Sequence, residues 1–109
     1  MNEKTVKIGE KEVKLRTSAY TPILYSELFG ENVFAEMGEI ITVAGQTGSI
    51  PVEKTFILYK VAYCMAKHAD PDLPEMKDWL EQFDVYDIPE IVGDMIELWT
   101  AENKTQSDP

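Results

Sequence analysis

Cys64 and His68 stand four positions apart in KVAYCMAKHADPD. On a helix that spacing puts a thiol and an imidazole on one face, where a nucleophile and its base, or two metal ligands, could cooperate. A zinc site needs two more soft ligands, and the sequence holds 1 Cys and 1 His in all. A buried thiol beside a histidine favoured by the negative end of a helix is the plainer alternative. Just downstream, Asp70 and Asp72 suggest a calcium loop, but Pro71 and Pro74 interrupt its ligand spacing and the loop glycine is missing. GQTGS, residues 45–49, resembles a phosphate-binding loop without the required spacing or the lysine after the second glycine. With no Ser/His/Asp signature and no glycine fingerprint after a strand, the expectation is a protein that is not an enzyme and uses no cofactor or metal.

DLPE at 72–75 returns as DIPE at 87–90, and SIP at 49–51 is a third version of the same device. In each, a Ser or Asp that can accept from unpaired backbone N–H groups precedes an apolar residue and a proline suited to a first helical turn. Glu75 and Glu90 fall three positions after Asp72 and Asp87, as a reciprocal capping box requires. Each cap contributes about 1 kcal/mol. These carboxylates are therefore expected to start helices and not to perform catalysis.

The elements between these signals define one domain, residues 1–102, followed by an end without apolar anchors, 103–109, expected to fray. VKI and VKL flank GEKE, which predicts a β-hairpin over about 4–16 anchored by Val6, Ile8, Val13 and Leu15. Thr21 and Pro22 open a short helix that Gly30 stops. Asn32 caps the next, with Phe34, Met37, Ile40, Ile41 and Ala44 on the packing face and Glu36 and Glu39 in water. AGQTGS, 44–49, reads as a loop. Between Phe56 and Ala66 only Lys60 is charged, which makes that third helix the centre of the domain. Helices over about 74–83 and 88–101 then form an antiparallel pair on it, with Met76, Trp79, Leu80 and Phe83 on one face and Ile88, Ile91, Val92, Met95 and Trp99 on the other. The fold class expected is mainly α, about five short helices around a central apolar helix with a small N-terminal β-hairpin (α+β).

The net charge of −10 is unevenly placed. Residues 1–69 balance eight acids with eight bases, whereas 70–109 set twelve acids against Lys77 and Lys104. Such a surface repels phosphate backbones, so no nucleic-acid partner is expected. No apolar run approaches the roughly 20 residues needed to span a bilayer, and the opening residues show no secretory pattern, so no leader is expected. A single cysteine fits a reducing cytoplasm. Apolar surface left over around the acidic helices forms the expected partner site: Trp79, Phe83, Tyr86, Ile96, Leu98 and Trp99, a groove rimmed by Asp and Glu and suited to an amphipathic helix bearing Lys or Arg.

The order of segments resembles a known family, the small tail assembly chaperones of long-tailed bacteriophages and prophages of Gram-positive hosts. The similarity lies in a short N-terminal hairpin followed by TSAYTPILYSELFGENVF, AYCMAKHADPDL and DWLEQFDVYDIPEIVGDMIELW, which together cover nearly the full chain. The resemblance implies a non-enzymatic role in building the phage tail. Such proteins bind the tape measure protein, keep its apolar segments from aggregating, help gather tail tube subunits around it, and are absent from the mature virion. The resemblance places the chain in the host cytoplasm and allows a second, longer frameshifted form. Coating a long client takes many copies, so weak self-association is expected as well, through loop 44–50 and the C-terminal helix pair. The charge alone suggests another class, a small acidic inhibitor or adaptor of the DNA-mimic type acting on a host protein.

Overall fold

A computed structural model describes residues 2–47 and 52–107. The chain folds into strands β1 (Asn2–Ile8) and β2 (Lys11–Thr17), then helices α1 (Thr21–Phe29), α2 (Val33–Thr47), α3 (Val52–Ala69), α4 (Met76–Leu80), α5 (Asp87–Glu90) and α6 (Val92–Ser107). It is a mainly helical α+β globule with an N-terminal antiparallel hairpin.

Ile8 pairs with Lys11 across a two-residue turn, and the register continues through Val6 opposite Val13 to Asn2 opposite Thr17. Gly9 sits at φ 63°, the positive value that the first central position of a tight hairpin turn demands. Alternation then sends Val6, Ile8 and Leu15 into the core, with Val13 packed against it. A two-stranded sheet is marginal alone. This one lies on α3 and α6, which supply the other half of its core.

The entrances of α1 and α5 share one construction. The Thr21 hydroxyl accepts from the Ser18 N–H at 2.9 Å while its own N–H donates to the Ser18 carbonyl at 3.0 Å. The Asp87 carboxylate likewise accepts from the Asp84 N–H at 2.8 Å, and its N–H donates to the Asp84 carbonyl at 3.1 Å. Each is half of a reciprocal capping box, shifted three residues upstream of the position expected at DIPE. α4 differs again. Its cap is Glu75, with no side-chain cap bond, and Asp70 instead accepts from the Asp72 N–H at 3.1 Å in a turn before it. Asp72 and Asp87 are thus not the caps that the repeated motif suggests, because turns upstream have already engaged the local N–H groups. Ser49 and Pro51 lie outside the described residues.

Asn32 does cap α2, accepting from Phe34 N–H at 2.9 Å and Ala35 N–H at 3.4 Å. Gly30 ends α1 at φ 68°. α2 buries Val33, Met37 and Ile40, an i, i+4, i+7 stripe that leaves Phe34 outside. Glu36, expected in water, accepts from the buried Tyr25 hydroxyl and from Lys60 at 3.5 Å. The helix also continues through Thr47, so residues 44–47 are not the loop expected; one interior glycine costs about 1 kcal/mol and is tolerated.

α3 is central, with every side chain from Val61 to Ala66 buried, and it packs against β2 and α1, α2, α4 and α5. The C-terminal region departs most from expectation. Among the described residues there are six helices and not five, because the segment 88–101 breaks at Ile91, and α4 spans Met76–Leu80 alone. The break lets Ile88 face α3 while Ile91, Met95 and Leu98 form a new buried stripe. α6 therefore lies against β1 and β2 instead of forming a helical pair with α4. Lys4 clamps it there, at 2.8 Å from Asp94 and 2.9 Å from Glu97. α6 carries helical backbone on into residues 103–107. No helix among the described residues is long and apolar enough to cross a membrane.

Candidate functional site

Cys64 and His68 both meet Thr21 at the entrance of α1. The buried thiol donates to the Thr21 carbonyl at 3.9 Å. The His68 ring nitrogens lie 3.4 Å from Ser18 Oγ and 3.3 Å from Thr21 Oγ1, and Tyr20 meets the ring edge-on. His68 thus ties the end of α3 to the entrance of α1. Burial pushes the Cys64 thiol up to about 12, the reverse of what a thiolate nucleophile requires. Among the described residues no group of three or more His, Cys, Asp or Glu side chains could hold a metal ion.

The side chains expected to form one groove fall into three places. Trp79 and Leu98 belong to the core, 2% and 4% exposed. Trp79 is held between Tyr63, at 5.6 Å, and Phe83, at 5.1 Å between ring centroids. Leu98 is buried through the stripe that the break at Ile91 creates. Neither offers surface to a partner. Ile96 and Trp99 are half-buried on α6, where Trp99 meets Phe34 edge-on at 5.4 Å. Phe83 and Tyr86 stand apart from them, in the α4–α5 region.

There Phe83 lines an apolar recess of about 170 Å³, together with Tyr59, Leu80, Asp84, Val85 and Ile88. The link 81–86 is short and contains no regular helix. The Tyr59 hydroxyl fixes it by donating to the Val85 carbonyl at 2.8 Å. Val85, in the lining of the recess, and Tyr86, next to it in the chain, are 71% and 76% exposed. Asp87 and the exposed Glu90 follow directly on α5, so apolar surface and negative charge lie side by side.

A second apolar patch consists of Phe34, 62% exposed, and Trp99. Tyr59, Val85 and Phe34 are the surface residues that sequence reasoning missed. Val85 was legible as an apolar residue in a helix-free link, whereas Tyr59 reaches the site only through the packing of α3. The arrangement can bind apolar side chains and attract cations. Comparison of the chain with protein-family models, with curated proteins and with solved structures returns no match.

Proposed function

We propose that this chain is a tail assembly chaperone of a long-tailed phage or prophage. In this reading it is not an enzyme; it binds the tape measure protein, keeps it soluble, and helps recruit tail tube protein in the host cytoplasm before being left out of the virion. The observation that supports it best is the exposed Val85–Tyr86 pair at the Tyr59–Phe83–Ile88 recess, whose lining also includes Asp84. An amphipathic helix can place apolar anchors in such a recess and its Lys or Arg residues against the acids. Contacts this small are weak singly and become firm when many copies coat one long client. The order of sequence segments that resembles the family supports the same reading.

The DNA-mimic alternative gains no support from the acids that the fold engages. Asp94 and Glu97 pair with Lys4, and Asp87 accepts from the Asp84 N–H, so these acids are tied to groups of the fold itself and do not stand as a free array of charge. The test is co-expression with the tape measure protein of the same gene cluster. The soluble fraction of that client should rise with this chain present and fall back with the Val85→Ser, Tyr86→Ser variant. Equal client solubility with and without the wild-type chain would refute the assignment.

A further inference from the structure

The hairpin offers a recognition element distinct from the recess. Among the described residues its sheet has two strands, so the outer edge of each strand has no strand partner. The turn-closing pair Ile8–Lys11 exchanges backbone hydrogen bonds, and bonded and non-bonded pairs alternate along an antiparallel ladder. In the observed register Glu3, Thr5 and Lys7 therefore occupy non-bonded positions. Their N–H and C=O groups point away from β2. All three side chains are exposed on the outer face of the hairpin, Glu3 also pairing with Arg16 of β2 at 2.7 Å.

We infer that β1 is a self-recognition edge, through which two copies of the chain pair antiparallel about a two-fold axis at Thr5. With Thr5 opposite Thr5 of the second copy, Glu3 faces Lys7 of that copy and Lys7 faces its Glu3. Each of these pairs falls at a position where both outward backbone groups are exchanged, and the charges are self-complementary. The same operation on β2 centres on Lys14; it too would pair Glu12 with Arg16, but it sets Lys14 directly against Lys14 of the second copy. Charge pattern thus selects β1. Inward-pointing charge on an edge strand ordinarily guards it against such pairing. Here that charge, Lys4, is already neutralised by Asp94 and Glu97. The pairing stands independently of the client proposed above.

Sedimentation of the wild-type chain over a concentration series should show a monomer passing to a dimer. Thr5→Pro removes only an N–H directed away from β2, a place where an edge strand accepts proline. That variant should keep the hairpin and associate at least about tenfold more weakly. Amide exchange on the wild-type chain tests the same point without a variant: the Glu3, Thr5 and Lys7 amides should slow as concentration rises. A wild-type chain monomeric throughout, a folded Thr5→Pro variant that dimerises unchanged, or edge amides indifferent to concentration would each overturn the inference.

Discussion

The Asp87 carboxylate closes over the hairpin turn at Gly9: a Cβ built on that glycine would come within 2.6 Å of Asp87 Oδ2. The carboxylate cannot swing away freely, because it also accepts from the Asp84 N–H at 2.8 Å. One acid thereby joins the start of α5 to the turn between β1 and β2.

Gly9→Ala should accordingly destabilise the fold by about 1–2 kcal/mol from backbone strain at positive φ alone, with the clash adding to it. In an Asp87→Ala background the clash is gone, so the same substitution should cost less. Urea denaturation of the four members of this cycle measures the coupling. Additive costs would show that the carboxylate and the turn do not press on each other.

Trp79 and Tyr86, grouped together by their position in the sequence, should separate in experiment. Trp79→Ala empties a core site between Tyr63 and Phe83 and should cost about 3–5 kcal/mol, whereas Tyr86→Ser should change stability by less than about 0.5 kcal/mol. On the proposed function, Tyr86→Ser lowers client solubilisation while the protein remains folded. Thermal unfolding and the co-expression assay, run on the same two variants, check both halves.

The sequence revealed what depends on local period and punctuation. Alternation around Gly9 specified the hairpin and its core face, Gly30 specified the end of α1, and the nearly uncharged run from Phe56 to Ala66 specified the central helix. It could not specify which of two overlapping stripes a neighbour would cover. Val33, Met37 and Ile40 compete with Phe34, Met37 and Ile41 on α2, and the neighbours of the helix decide between them; in the fold Tyr25 and Lys60 meet Glu36. The break at Ile91 has the same character, since it buries Leu98 only because β1 and β2 lie where α6 can reach them. The recess was illegible for a simpler reason: it joins Tyr59 to Val85, 26 residues apart.

Alkaline pH should weaken this protein through groups that are buried neutral. Burial pushes the Cys64 thiol from 9.0 up to about 12. Burial, and then the Glu36 carboxylate, pushes the Tyr25 hydroxyl above its ordinary 10.0. Both shifts are upward, so these groups contribute fully below pH 9 and lose their contribution as pH rises from the unfolded toward the folded value. Each should steepen the loss by about 1.4 kcal/mol per pH unit while only the unfolded chain ionises. Urea midpoints followed from about pH 7 to 11 should fall, and Cys64→Ala should flatten the fall. An equal slope in that variant would show that the thiol ionises alike in both states.

Tyr25 links α1 to α2 by donating to Glu36, which Lys60 of α3 also approaches at 3.5 Å. The two ends of this bond are not equivalent. Tyr25→Phe removes the donor but leaves the carboxylate with Lys60, so the cost should be near 1 kcal/mol. Glu36→Met leaves a buried hydroxyl without its acceptor and Lys60 with only Glu31, and should cost about 2–3 kcal/mol. Adding Tyr25→Phe to Glu36→Met then removes the stranded hydroxyl, so the double variant should be no less stable than Glu36→Met alone. Denaturant unfolding of the three variants measures this order, and a double variant as unstable as the summed single costs would mean that the hydroxyl finds another partner when Glu36 is gone.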